Sequence, residues 1–202
     1  MKTITFNLTE LHKHGTAFFE FLALRKQFFV DQLGWDIPHD EDVEMDQYDN
    51  PNAYYSLALN AGKVVGGVRL MPTDTIWGQH SYMLRDAVKN RIDGIPANIM
   101  ESEIVTSQVW EMTRLVISPN LRTHSERSRC MAAIGEGLQI IADTSDCQEF
   151  MGLTAPTVSR ALRQLGFVAE NVGETYRCAE DGRAYGIMRI PVMQTAHAIA
   201  AE

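Results

Sequence analysis

The sequence predicts an α/β sandwich, with helices packed around one sheet. Three observations carry this. Strand-like and helix-like periods alternate in the order β-α-β-β-β-α-β-α-β-β, 45% of the residues are hydrophobic, and 202 residues can bury a sizeable core. A single domain over residues 1–202 is therefore expected.

The stretch KTITFNL alternates as a strand should. A helix follows from Thr9 to Leu33, with an irregularity expected at Gly15, because Phe18, Leu22, Phe29 and Leu33 fall on one helical stripe. Arg25 lies on that same stripe, and an arginine facing a core either snorkels or binds something. AYYSLALNAGKVVGGVRLMP reads as two strands joined by a turn at Asn60 to Lys63, with Gly66 and Gly67 marking a bulge or a close backbone approach. Residues 73–108 are the least regular and carry a short helix near SYMLRDAVKNRI. Next come a strand in VWEMTRLVI, a turn at Ser118 to Asn120, and a long amphipathic helix ending near Asp143. The strand EFMGLTA, the helix PTVSRALRQLG, the strands FVAENVGETYRC and GRAYGIMRIPV, and a short tail complete the chain.

The net charge of −8 is local. Residues 36–49 hold Asp36, Asp40, Glu41, Asp42, Glu44, Asp46 and Asp49 with no Lys or Arg. A charge run is ordinarily a solvated face, but this one follows Trp35 and the Arg25 stripe directly. With a pI near 5.2 and no extended basic stripe, nucleic-acid binding is not expected. Neither a secretory signal nor an apolar run long enough to span a membrane is evident, so a soluble, cytoplasmic protein is expected. Cys130, Cys147 and Cys178 are odd in number and irregularly spaced, which fits reduced structural thiols. His12 and His14 form an H-x-H pair without a third ligand at a metal-like spacing, so no metal is expected.

A strand ending in LVISPNLR and leading directly into a helix resembles the GNAT-type acyltransferase fold. In that fold the helix N-terminus receives the phosphates of a pantetheine-bearing acyl donor; THSERSR stands here in place of the usual Gly-rich turn. A narrower resemblance is to the acyl-homoserine-lactone synthases, which make bacterial quorum-sensing signals. It rests on R-K-x-x-F…LGW at Arg25, Phe29 and Trp35, D-x-x-D at Asp46 and Asp49, V-R-L at Arg69, and W-E-x-T-R at Glu111 and Arg114. Val88 in MLRDAV departs from the Phe common in that family and bears on the shape of the acyl pocket.

The resemblance implies a three-layer αβα sandwich around a mixed, largely antiparallel sheet. It also implies S-adenosylmethionine as substrate, no resident cofactor, and an acyl-carrier protein or acyl-CoA as donor. Asp46 and Asp49 would hold the substrate ammonium, with Trp35 and Phe29 as the aromatic wall. Arg25 and Arg69 would either bind the substrate carboxylate or pair with Asp46 and Asp49. Glu111 would be the general base, with Arg114 and Asp46 completing the catalytic group. Positions 111 and 114 fall on opposite faces of a regular strand, so a β-bulge is expected between them, turning backbone N–H groups toward the thioester oxyanion. Arg122, Arg127 and Arg129 against Glu126 form a basic turn for an acidic carrier protein, with Arg160 and Arg163 as possible neighbours. Two other readings remain: an N-acetyltransferase using acetyl-CoA on a small amine, which leaves the Trp35, Asp46, Asp49 and Glu111 set unexplained, and a non-catalytic acyl-ligand-binding module.

Overall fold

A computed structural model describes residues 1–192; the expected tail lies outside them. Seven strands form one sheet: β1 Lys2–Asn7, β2 Tyr54–Asn60, β3 Lys63–Pro72, β4 Val109–Ile117, β5 Glu149–Thr154, β6 Glu170–Arg177 and β7 Ala184–Pro191, in the order β1-β2-β3-β4-β5-β7-β6. All neighbours are antiparallel except β4 and β5, so the sheet is mixed, as expected. Helix α1, Ala17–Arg25, packs on one face with Phe6, Phe21, Tyr55 and Leu57. Helices α3, His124–Asp143, and α4, Pro156–Gln164, cover the other face with Val68, Leu70, Ile134, Leu138 and Phe150. The short helix α2 spans Met83–Val88.

Two turns follow from their residues. Ala61 and Gly62 both have positive φ, the mirror-image turn that matches strand twist in a two-residue hairpin. Thr123 caps α3 by accepting from the Glu126 amide, and the Glu126 carboxylate accepts in return from the Thr123 amide.

The long helix expected over Thr9–Leu33 is instead three pieces. A 3-10 segment covers Leu8–Lys13, Gly15 turns at φ 56°, α1 follows, and Lys26–Gln32 is wound as a π-helix. Apolar spacing reports which side chains are buried but not which carbonyl each amide reaches. In the π segment the Leu33 amide donates to the Phe28 carbonyl, one residue further back than in an α-helix. The transition falls just after Arg25.

Strand β4 pairs with β5 only over Val109–Glu111 against Glu149–Met151, after which the two strands separate. Gly152 sits at that fork, where an added Cβ would lie 2.6 Å from the Met112 carbonyl oxygen. Because that neighbour is backbone, Gly152→Ala is expected to cost about 1–3 kcal/mol, checked by chemical denaturation; stability equal to the parent would show that the fork yields.

Candidate functional site

Three arginines from three elements converge on the acidic loop. Arg25, at the end of α1, donates from Nε to Glu44 at 2.6 Å and through both terminal nitrogens to Asp49 at 2.8 Å. Arg69 on β3 grips Asp46 at 2.5 and 3.1 Å, lies 2.9 Å from an Asp49 oxygen and donates to Thr113 at 3.0 Å. Arg114 on β4 reaches Glu44 at 3.1 Å and Asp46 at 2.8 Å. Tyr55 adds a hydroxyl to Asp49, and the Asp46 and Tyr48 amides each donate to a loop carboxylate. The cluster is balanced, three cations against Glu44, Asp46 and Asp49. Burial alone would raise the Asp46 and Asp49 carboxyls, but neighbouring guanidinium groups hold both below the ordinary carboxylate range: Arg69 and Arg114 at Asp46, Arg69 and Arg25 at Asp49.

The geometry separates residues that the sequence grouped together. Arg25 is 0% and Arg69 1% exposed, with their donors directed at Glu44, Asp46, Asp49 and Thr113, so the pairing role is the one their positions support. Both oxygens of Asp46 and of Asp49 already accept hydrogen bonds, so an incoming ammonium would have to displace a donor. Arg25 pairs with Asp49 but not with Asp46, which belongs to Arg69 and Arg114. Glu44, which joins Arg25 to Arg114, was not singled out in the sequence. The available signal was arithmetic, since three arginines near a core require more carboxylates than Asp46 and Asp49 supply.

The Trp35 indole N–H is not among the donors to Glu44, Asp46 or Asp49. Its ring stacks on Phe29 at 5.0 Å, and the Arg114 guanidinium lies over the same Phe29 ring at 5.3 Å. The indole N–H donates to Asp181, and Tyr185 meets the indole edge-on. Phe29 thus connects the half-buried Trp35 to the ion-pair cluster, and the contact with Asp181 is set by tertiary folding alone.

Strand β4 carries the expected bulge. Its pairing with β3 slips between Gly67, opposite Val116, and Arg69, opposite Thr113, and Arg114 adopts φ 57°. A non-glycine residue in that conformation marks a position the surroundings impose. Through the slip, Glu111, Thr113 and Arg114 share the face that carries the acidic loop. Glu111 is 2% exposed and accepts from the Met83 and Leu84 amides at 2.8 Å each. Burial pushes its carboxyl up to about 7, against the pull of those amides and of Arg69.

Beyond the β4–β5 fork lies a narrow cleft lined by Met112, Met131, Ile134, Leu138, Leu153 and Leu162. Thr113 and Arg114 border it as well, so the bulge is where the apolar cleft and the charged site meet. Just ahead of α3 the Glu126 carboxylate accepts from the Arg122 and Thr123 amides at 3.1 and 3.0 Å. Arg122, Arg127 and Arg129 are exposed around it, as are Arg160 and Arg163 on α4. Among the described residues no cluster of His, Cys, Asp and Glu could hold a metal, and no helix is long and apolar enough to cross a membrane. Val88 falls at the end of α2, and the three cysteines are buried and unpaired.

The family described as autoinducer synthase matches residues 9–194. An acyl-homoserine-lactone synthase of Aeromonas salmonicida is 27% identical over 156 residues, covering 76% of this chain and 70% of its own. One of Ralstonia nicotianae is 29% identical over 163 residues, covering 76% and 72%. Among solved structures, TofI in a ternary complex with an inhibitor and MTA superposes with a TM-score of 0.73 at 24% identity, covering 95% of this chain and 92% of that one. BjaI, a CoA-dependent acyl-homoserine lactone synthase, with SAM and isopentyl-CoA gives 0.74 at 18% identity, covering 96% and 84%. At these identities the structures show the shared GNAT-like fold.

Proposed function

Because the chain belongs to the autoinducer synthase family and is an acyl-homoserine-lactone synthase, we propose that it builds an N-acyl-L-homoserine lactone from S-adenosylmethionine and an acyl thioester in two steps, within a single domain. The carrying observation is the β4 bulge at Arg114, which brings that arginine to the border of an apolar cleft while the same strand carries the buried Glu111 carboxylate three residues earlier.

In the first step the substrate ammonium gives a proton to Glu111, directly or through water, and the free amine attacks the thioester carbonyl. The C–S bond breaks and the donor leaves as a thiol. A base whose pKa lies near neutrality is matched to this transfer. Beyond Glu111 the β4 edge facing β5 has left the ladder, and the amides freed there would receive the developing oxyanion. In the second step the substrate carboxylate attacks its own γ-carbon, and the sulfonium leaves as the neutral thioether methylthioadenosine. No protein nucleophile is required, and the site contributes by holding oxygen and carbon in line.

Trp35 and Phe29 wall the adenine and sulfonium. Arg114, the least buried of the three arginines, holds Glu44 and Asp46 through Nε and Nη2 and takes the substrate carboxylate through Nη1. Arg25, Arg69, Asp46 and Asp49 act as the frame that sets Arg114 and the loop. Extracts of a culture expressing the chain should contain an acyl-homoserine lactone by mass spectrometry, and an extract lacking any would count against the reading.

The donor in this account is an acyl-carrier protein. The Glu126 carboxylate puts a negative charge beside the start of α3, which disfavours a free pyrophosphate there, while Arg122, Arg127 and Arg129 offer an exposed basic surface to an acidic protein. Charge reversal at two of these arginines should raise the apparent KM for acyl-carrier protein more than that for S-adenosylmethionine, with the larger loss at low salt. Equal effects on both substrates, or equal turnover with acyl-CoA, would contradict this choice of donor.

A further inference from the structure

Behind Glu111 lies a second buried carboxylate that the mechanism has not used. Asp86, in the middle of α2, is 0% exposed and accepts from the Ser81 amide at 3.1 Å, the Ser81 hydroxyl at 2.8 Å and the Tyr48 hydroxyl at 3.1 Å. The His80 ring nitrogen faces it at 2.9 Å, and Arg91 stands 3.5 Å away. Tyr48 belongs to the acidic loop, between Asp46 and Asp49. Its amide donates to Asp46 at 2.9 Å, and its ring packs against the Arg69 guanidinium at 5.5 Å. The same α2 supplies the Met83 and Leu84 amides that hold Glu111.

We propose that Asp86 is a positioning residue of the acyl-transfer site, fixing the acidic loop, through Tyr48, against the helix whose amides orient Glu111. The inference rests on Glu111 being the base. A carboxylate able to accept from Tyr48, Ser81 and His80 at once locks three segments with one side chain, and a displacement of about 1 Å at a reacting group can cost on the order of 10²-fold in rate. Asp86 also acts on Glu111 through space as a like charge. The other groups that face Glu111 are Arg69 from β3, Tyr48 from the acidic loop and Tyr82 at the start of α2.

Two variants test this in the full chain. Asp86→Asn removes a negative charge while keeping size, and should lower kcat by roughly 10- to 100-fold without changing the KM for the acyl donor. Losing a like charge favours the ionised form of Glu111, so the acidic limb of the kcat/KM profile should move to lower pH. Tyr48→Phe cuts the tie but leaves the charge, so kcat should fall while the limb stays in place. A merely structural Asp86 would lower the melting temperature and scale the rate equally at every pH, and that result overturns the inference. Should Asp86→Asn fail to fold, Tyr48→Phe decides: a reduced kcat at an unchanged melting temperature supports the role, and a parental kcat ends it. Full activity in Glu111→Gln would remove the base assignment and this inference with it. An inactive Glu111→Gln beside a fully active Asp86→Asn and Tyr48→Phe would remove this inference alone.

Discussion

Glu111→Gln is expected to lower acyl transfer by about 10²–10⁴-fold while leaving the protein folded. Gln keeps the size of the side chain and an oxygen for one of the two α2 amides, but it cannot take a proton. The sign of the pH dependence follows from the same group. Burial raises its pKa to about 7, and a base works only when deprotonated, so kcat/KM should fall as pH drops below that value. In Glu111→Gln that limb should vanish along with most of the rate. Parental turnover at neutral pH would make Glu111 a purely structural ligand of α2.

The second large effect is on stability. Arg25→Met removes the cation that bridges Glu44 and Asp49, leaving those buried carboxylates short of a partner. Breaking a buried ion pair in this way costs about 3–5 kcal/mol, which for a chain of this size lowers the melting temperature by roughly 6–20 °C. Adding Asp49→Asn should cost less than the two single effects summed, because the charge left stranded by the first change is then gone. A parental melting temperature for Arg25→Met would mean that water or Arg69 replaces Arg25 without loss.

Much of this architecture is written in short-range chemistry. Thr123 and Glu126 form a three-residue-spaced capping pair that marks the start of α3, and the Asn60–Lys63 turn is marked by its glycine and by the alternation on either side. The bulge in β4 could be inferred because Glu111 and Arg114, three residues apart, cannot share a face of a regular strand. What the sequence concealed depends on contacts across the fold. The π winding after Arg25 is a change of hydrogen-bond partner that leaves the apolar stripe intact. Glu44 looked like one acid among seven until Arg25 and Arg114 converged on it. The Trp35 indole finds Asp181, 146 residues away, a pairing with no local trace. The division of labour among the arginines was equally hidden, because burial rather than residue type sets Arg25 and Arg69 apart from Arg114.

The central claim is that one site acylates S-adenosylmethionine and then closes the lactone on the acylated product. Its most direct test supplies the purified protein with S-adenosylmethionine and acyl thioesters of graded chain length, on carrier protein and on CoA, and follows three products together by mass spectrometry. Equal amounts of acyl-homoserine lactone, methylthioadenosine and free donor thiol are expected, with no methylthioadenosine released when the acyl donor is omitted. Release of donor thiol onto another amine without methylthioadenosine, or no lactone with any donor, would contradict it.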